Sequence, residues 1–265
     1  SLPLAVVLFL LAVYYFVRTE GWTWRNVLAI AASLTFLTYC YTSGRILGLA
    51  LGAGLFLFAT SRRRLIAIVS ALGLYGLTLI PIVVFNRRNP DSMMRRLYEI
   101  SYIKPWTPWS EIFPKFVTRY LEDQSLLGLL VNGDHHSRHH VQGSGGAIFY
   151  VAIVLVVVSL ILLISRSRQN RFWMFVVYGA AISIIPGALT VEPLHALRNA
   201  ALPVFLLALT IPAFHWLFIG DPPTDPLAAP RPQRWKSLVL AGLLLVGIYE
   251  TVSFQIVYRS EGWKR

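Results

Sequence analysis

Charged residues are scarce in this chain of 265 residues: they make up 14% of it, against about 25% in an ordinary soluble protein, while 56% of the residues are hydrophobic. This composition excludes a soluble globular domain. Cysteine is almost absent as well. Cys40 is the only one and lies inside an apolar run, so neither a disulfide nor a cysteine metal site can form within one chain.

Acidic residues are few: 12 of them stand against 24 lysines and arginines, and the formal net charge is +12. Such a balance can indicate a nucleic-acid-binding protein. Here, however, the arginines lie at the ends of apolar runs, and no basic patch alternates with aromatic residues on a soluble face. Membrane topology accounts for that placement. We therefore expect no nucleic-acid partner, and nothing indicates an organic cofactor.

Long apolar runs make up most of the chain. Because a membrane-spanning helix needs about 20 mostly apolar residues, we identify eight candidate spans, at residues 2–17, 26–42, 46–60, 65–85, 147–165, 172–189, 200–219 and 237–257. The fold predicted is an all-α polytopic membrane protein whose outer-face loop carries surface helices. Its three regions are a first transmembrane group at 1–85, an outer-face segment at 86–146 and a second transmembrane group at 147–265.

The short loops between the spans predict the orientation. If the spans alternate in direction, one side receives eleven basic residues in short connections: Arg18, Arg25, Arg62, Arg63, Arg64, Arg166, Arg168, Arg171, Arg231, Arg234 and Lys236. Short loops rich in lysine and arginine stay in the cytoplasm. Arg45, the segment 86–146 and the stretch Glu192–Arg198 are therefore expected to face outward together.

The outer segment is too long for a bare connection, since loops beyond about 12–15 residues usually have a function or structure of their own. We expect one surface helix from about Pro90 to Ser101. A second should begin near Ser110, where apolar residues recur at helical spacing. Shielding the helix bundle and gating a substrate are both open as roles for these helices.

A polar loop, NGDHHSRHHVQGSGG at Asn132–Gly146, stands out against the apolar chain. Polar groups at the surface of a membrane-embedded protein usually bind something polar. Its four histidines, His135, His136, His139 and His140, are compatible with a solvated loop or with a divalent metal site. The spacing HHxxHH matches no specific ligand pattern, so we assign no metal site.

Two further clusters are expected to face outward. Tyr41 and Arg45 belong to the sequence YCYTSGR at the end of the second span. Glu192, His195 and Arg198 follow each other at a spacing of three, which places them on one face if the stretch is helical. Arg45 alone could extend to the interface, and Glu192 with Arg198 could form a simple ion pair. Three arginines from three segments on one membrane face favour phosphate binding instead, because the guanidinium fork suits phosphate oxygens.

The order of YTSGR, the long outer segment, GDHHSRHHVQG and EPLHALRNAALPVF resembles bacterial membrane glycosyltransferases of the C-type fold, relatives of protein O-mannosyltransferases and of lipid A aminoarabinose transferase. Their loop reads roughly G-D-x-x-x-R-H-x-x-x-G, matched by Gly133, Asp134, Arg138, His139 and Gly143. Their later motif reads roughly P-H-x-L-R with a proline beyond it, matched by Pro193, His195, Leu197, Arg198 and Pro203. Leu194 is an insertion in that motif. The resemblance covers residues 25–220.

The resemblance implies a transferase that takes a sugar from a polyprenyl-phosphate donor, with membrane lipid as a partner, at the outer face of the bacterial inner (plasma) membrane. The phosphate-binding residues expected are Arg138, Arg198, Arg45, His139, His195 and Tyr41, with Asp134 and Glu192 orienting the arginines. Such enzymes carry an acidic catalytic pair in their first outer loop, and the only acid here before Asp91 is Glu20. We therefore expect that loop to precede Ser1, so that the chain is a C-terminal part without catalytic residues and transfers no sugar alone.

A transporter or flippase for an anionic lipid or solute is the alternative function. It would also gather arginines, although usually near the bilayer midplane and beside broken helices. Glu250 is the one acidic residue of the span interiors that such a protein could use. A non-catalytic membrane scaffold would not need three convergent arginines.

Overall fold

The computed structural model describes residues 1–19, 23–89, 95, 97–134, 145–166, 170–219 and 234–261. Within these ranges the chain forms helices and the turns between them, with no strand, which confirms the predicted all-α class. The chain divides into two compact units. Unit 1 comprises residues 1–125 and 171–204, and unit 2 comprises residues 126–170 and 205–265.

The described helices follow one another closely along the chain. They are α1 (Leu2–Arg18), α2 (Trp24–Cys40), α3 (Thr42–Gly54), α4 (Arg62–Thr78), α5 (Ile80–Arg88), α6 (Trp109–Asp123), α7 (Tyr150–Arg166), α8 (Arg171–Ile182), α9 (Ile185–Ala188), α10 (Leu202–Ile219) and α11 (Arg234–Glu261). A 3₁₀ turn, Leu55–Phe58, continues α3, and a π-helical turn covers Gly128–Asn132. The surface helix expected near Ser110 is α6. Of the one expected at 90–101, residues 97–100 are helical, and residues 90–94 and 96 lie outside the described ranges.

Local sequence explains several of the helix ends. The Thr23 hydroxyl accepts a hydrogen bond from the Asn26 N–H at the start of α2, and Ser61 does the same for Arg64 at the start of α4. Pro81 lies in the first turn of α5, where its missing N–H costs nothing. One residue, Leu79, which is itself in the right-handed helical region, separates α4 from α5.

Three apolar rings form the centre of unit 1. Phe9, Phe58 and Phe175 are fully buried, and the ring centroid of Phe175 lies 6.0 Å from that of Phe9 and 5.4 Å from that of Phe58. Arg171, at the start of α8, donates to the Leu57 carbonyl oxygen at 2.8 Å, and the Tyr178 hydroxyl donates to the Ala50 carbonyl oxygen at 2.7 Å. These two contacts show that α8 runs antiparallel to α3. The end of α8 and the following α9 therefore lie at the end where α3 begins.

Gly44, in the sequence YTSGR, permits the tight turn between α2 and α3. Its N–H donates to the Tyr41 carbonyl oxygen at 2.9 Å. A Cβ at this position would overlap the backbone carbonyl oxygen of Leu37 on α2. Backbone atoms cannot move aside as a side-chain tip can, so the turn requires glycine. This turn fixes Tyr41 and Arg45 at the beginning of α3.

Unit 2 is built from α7, α10 and α11. Leu155 on α7 packs with Ala213 and Leu217 on α10 in a small buried cluster. The Ser159 hydroxyl accepts a hydrogen bond from the Ala213 N–H at 2.9 Å, next to Pro212, which interrupts the backbone bonding of α10. Neighbouring serine side chains commonly satisfy the backbone around a proline in a membrane helix.

In the part of the chain that the structure describes, three helical stretches are long and apolar enough to cross a membrane: Arg62–Arg88, Arg171–Ala188 and Arg234–Glu261. Shorter apolar helices cover Leu2–Arg18, Thr42–Phe58, Tyr150–Ser165 and Leu202–Phe218. Large apolar side chains are exposed on these helices, for example those of Leu77, Leu238 and Leu245. Such surfaces suit a lipid environment.

Candidate functional site

The helix contacts of unit 1 show that its charged residues lie at two opposite ends of the unit. Near one end, Phe16 on α1 packs on Phe58 with ring centroids 6.5 Å apart, and Asn26 donates to the Thr19 hydroxyl at 2.6 Å. The arginines at or beside this end are Arg18, Arg25, Arg62, Arg63, Arg64 and Arg171. The opposite end holds the start of α3 and, after α9, the loop at residues 189–201. The basic residues that the sequence assigned to one side thus share one end within this unit.

Residues 100–102, within the segment 86–146, pack directly on the loop at residues 189–201. The Ile100 carbonyl oxygen accepts a hydrogen bond from the Val191 N–H at 3.0 Å. The hydroxyl of Tyr102 donates to the Ala188 carbonyl oxygen at 2.8 Å. The neighbouring Ser101 hydroxyl donates to the Leu189 carbonyl oxygen. Residues 100–102 therefore hold the backbone at which the loop begins.

Asp123, the last residue of α6, clamps the middle of the same loop. Its side chain is buried, with Oδ1 accepting from the Leu194 N–H at 2.5 Å and Oδ2 accepting from the Asn199 side-chain amide at 2.9 Å. Burial raises the pKa of the Asp123 carboxyl above its ordinary value, and the hydrogen bonds from Asn199 and Leu194 partly oppose that rise. Sequence reasoning missed this residue, because nothing near it in the chain marks it as different from an ordinary surface acid.

Leu194 has an unusual backbone conformation. Its φ is +52°, and it is the only residue other than glycine with a positive φ in the described ranges. Bulky side chains rarely adopt this left-handed region. The Asp123 carboxylate accepts a hydrogen bond from the N–H of this left-handed residue.

Gly187 in α9 leaves free the space that the Asp123–Asn199 contact occupies. A Cβ there would overlap Asn199 Oδ1 and would lie 2.7 Å from Asp123 Oδ2. The Gly187 carbonyl oxygen also accepts a hydrogen bond from the Thr190 hydroxyl at 2.7 Å. The lack of a side chain at Gly187 therefore allows the contact between Asp123 and Asn199, while its backbone carbonyl oxygen supports Thr190.

The loop brings Glu192, His195 and Arg198 together, as their spacing predicted. Arg198 is 9% exposed and His195 is 6% exposed. Arg198 Nη1 donates to the Thr190 hydroxyl at 2.8 Å and lies 3.3 Å from Glu192 Oε2, while His195 Nε2 lies 3.6 Å from the same oxygen. The stretch is a turn rather than a regular helix, closed by the Arg198 and Asn199 N–H groups on the His195 carbonyl oxygen.

Tyr41 and Arg45 lie at the same end of unit 1 as this trio, since α9 packs against α3. Both side chains are exposed. Within the described ranges, no carboxylate lies within ion-pair distance of Arg45. Its guanidinium is therefore accessible to a ligand.

The described part of the polar loop belongs to unit 2. Asp134 is buried, and the preceding Gly133 has a φ of +64°. The Gly146 N–H donates to the Leu130 carbonyl oxygen at 3.0 Å, which joins the two ends of the loop. The remaining predicted residues lie outside the described ranges: His135, His136, Arg138, His139, His140 and Gly143. Among the residues that the structure does describe, no three His, Cys, Asp or Glu side chains are grouped to hold a metal ion.

Glu250 has a structural role in unit 2. Its carboxylate accepts hydrogen bonds from the N–H groups of Tyr150 at 2.6 Å and Val151 at 3.3 Å. These groups belong to the first turn of α7, where backbone N–H groups lack partners within the helix and negative charge is favoured. Glu250 is therefore a helix cap supplied by α11.

The trio of Glu192, His195 and Arg198 has the chemistry of an oxyanion site. A buried arginine and a buried imidazole converge on one half-exposed carboxylate oxygen. The guanidinium donates charge-assisted hydrogen bonds, which phosphate and carboxylate oxygens accept strongly. Comparisons of the chain with protein-family models, curated proteins and solved structures find no match.

Proposed function

We propose that this chain forms the donor-binding part of a membrane glycosyltransferase that transfers a sugar from a polyprenyl phosphate to an acceptor at the outer membrane face. One observation carries the proposal. Arg198 and His195 are buried and converge on a single anion, the Glu192 carboxylate, at the end of unit 1 away from its arginine-rich end. Burying a guanidinium is costly unless it is paired, and a permanent phosphate-binding role gives a reason to retain it.

Phosphate binding would contribute to the chemistry through the leaving group. When an acceptor attacks the anomeric carbon of the sugar, the bond to the phosphate oxygen breaks and negative charge develops on that oxygen. Fixed donors aimed at the developing charge lower the barrier. We assign this role to Arg198 and His195, with Arg45 and Tyr41 at the same end of unit 1. The resemblance alone assigns phosphate binding to Arg138 and His139, with Asp134 orienting Arg138.

The orientation belongs to the same proposal. Placing the arginine-rich end of unit 1 in the cytoplasm follows the positive-inside rule and puts the trio outside. In this arrangement the three long apolar stretches, the four shorter apolar helices and α2 together supply the eight spans. Transport is the weaker function for this chain, because Glu250, the acid that it would use within a span, already binds the end of α7.

Cysteine labelling tests the orientation and the ligand together. Leu197, between His195 and Arg198, is 47% exposed. In a Cys40→Ala background, Leu197→Cys should react with a membrane-impermeant maleimide on intact cells, because its end of unit 1 faces outward. Added polyprenyl phosphate should slow that reaction. Arg62→Cys, exposed at the opposite end, is the control and should react only after the membrane is opened.

The reverse pattern, in which Arg62→Cys reacts on intact cells and Leu197→Cys does not, would invert the orientation and remove the outer site. Reaction of Leu197→Cys from both sides in turn would instead favour an alternating-access transporter.

A further inference from the structure

Glu192 differs from its two partners in exposure. Its side chain is 54% exposed, whereas those of His195 and Arg198 are 8% and 10% exposed. The two ion pairs are the contacts that its carboxylate makes within the described part of the chain. One carboxylate oxygen therefore faces both the Arg198 guanidinium and the His195 imidazole from the solvent side, in the position where an oxygen of a bound oxyanion would lie.

The Arg198 side chain and the backbone of the turn that bears His195 are held in place without Glu192. Arg198 Nη1 donates to the Thr190 hydroxyl, which in turn donates to the Gly187 carbonyl oxygen. The turn from His195 to Asn199 is closed by backbone hydrogen bonds, and Asp123 binds the Asn199 amide. A residue that merely oriented Arg198 would duplicate these contacts.

A phosphate and the Glu192 carboxylate cannot both occupy this position. Two like charges placed around one guanidinium repel each other, and one buried arginine cannot neutralise a carboxylate and a phosphate together. Because Glu192 is exposed, its side chain can swing into solvent, where a carboxylate is well hydrated. Arg198 lacks that freedom.

We propose that the Glu192 carboxylate is an internal occupant of the oxyanion site, which a phosphate oxygen displaces on binding. The inference rests on the proposed function, since it presumes that the trio binds phosphate. It differs from the expectation that Glu192 orients the arginines, because removing the Glu192 charge should then strengthen phosphate binding rather than weaken it. The internal occupant keeps the buried Arg198 guanidinium paired when no ligand is present.

Titration of the full chain in lipid nanodiscs tests the inference with Glu192→Gln, which removes the charge and keeps the side-chain size. Displacing a half-exposed ion pair should cost the wild type a modest factor, so the variant should bind polyprenyl phosphate about two- to fivefold more tightly. Glu111→Gln is the matched control: Glu111 is an exposed acid of unit 1 paired with Lys115 at 3.3 Å, and its loss should change nothing. Inorganic phosphate is titrated in parallel to identify the source of the phosphate.

The outcomes distinguish the displacement of Glu192 from the existence of the phosphate site. Weaker or equal binding by Glu192→Gln, with wild-type binding intact, overturns the displacement and leaves the phosphate site standing. Absence of binding by both proteins overturns the site as well. Tighter binding of both ligands, or of the lipid alone, supports the displacement by a donor headgroup. Tighter binding of inorganic phosphate alone supports displacement by free phosphate and contradicts the lipid-linked donor.

Discussion

Asp123→Ala is expected to lower the free energy of unfolding of this protein by about 2–4 kcal/mol and to weaken polyprenyl-phosphate binding by more than tenfold. The substitution leaves the Leu194 N–H and the Asn199 amide buried without their acceptor. Hydrogen bonds to a charged group contribute about 1.5–3 kcal/mol each, and buried donors left unsatisfied add a desolvation cost. The left-handed Leu194 loses the contact that favours its conformation, so the turn bearing His195 and Arg198 loosens.

Two variants control this prediction, with thermal unfolding in detergent and lipid titration as the measurements. Glu122→Ala removes the neighbouring acid, which is exposed and pairs with Arg119, and should cost under about 1 kcal/mol. Asp123→Asn should retain most of the stability. The oxygen of the new asparagine can still accept from the Leu194 N–H. Its amide can donate to Asn199 Oδ1 once the Asn199 amide group has rotated by half a turn. In the wild type this oxygen has no hydrogen-bond partner among the described residues.

The stabilities of the wild type and of Asp123→Asn should also depend differently on pH. The folded-state pKa of Asp123 lies above that of the unfolded chain, so its contribution to stability is complete below the unfolded pKa and declines as the pH rises through the folded one. The asparagine variant should lack this decline. Wild-type stability and binding in Asp123→Ala would show that the clamp does not position the loop.

Arg198→Lys is expected to reduce the affinity for polyprenyl phosphate by about ten- to a hundredfold while the protein remains folded. Lysine keeps the charge but loses the planar fork, and one charge-assisted hydrogen bond is worth about 1.5–3 kcal/mol. Arg63→Lys, at the opposite end of unit 1, is the matched control and should bind like the wild type. Equal affinities in the two variants would remove Arg198 from the phosphate site.

Residue spacing predicted the trio of Glu192, His195 and Arg198 because the three lie within seven residues of each other. Local geometry places such residues together in a helix or in a compact turn, and the structure uses a turn. The all-α fold and α6 could equally be predicted from the sequence, because apolar composition and helical periodicity are local properties. The phosphate-binding role of Tyr41 and Arg45 stays a prediction, and the close approach that makes Gly44 necessary beside them becomes visible only with α2 in place.

Asp123 could not be predicted in the same way. Its partners Leu194 and Asn199 lie 71 and 76 residues further along the chain, and only the packing of α6 on α9 brings them together. In the sequence it follows Glu122 at the end of an amphipathic helix, where acids are usually solvated. Glu250 shows the same limit: its role as a cap depends on N–H groups about 100 residues away.

The most direct measurement of the central claim is the ratio of the affinities of the wild-type chain for polyprenyl phosphate and for the uncharged polyprenol of the same length, both titrated in nanodiscs. The two lipids share their tail, so the ratio isolates the phosphate. We predict at least tenfold preference for the phosphate in the wild type, and a preference reduced to near one in Arg198→Lys, with Arg63→Lys unchanged. Equal affinity of the wild type for both lipids, or the same preference in all three proteins, would contradict the claim that Arg198 and His195 form a phosphate site.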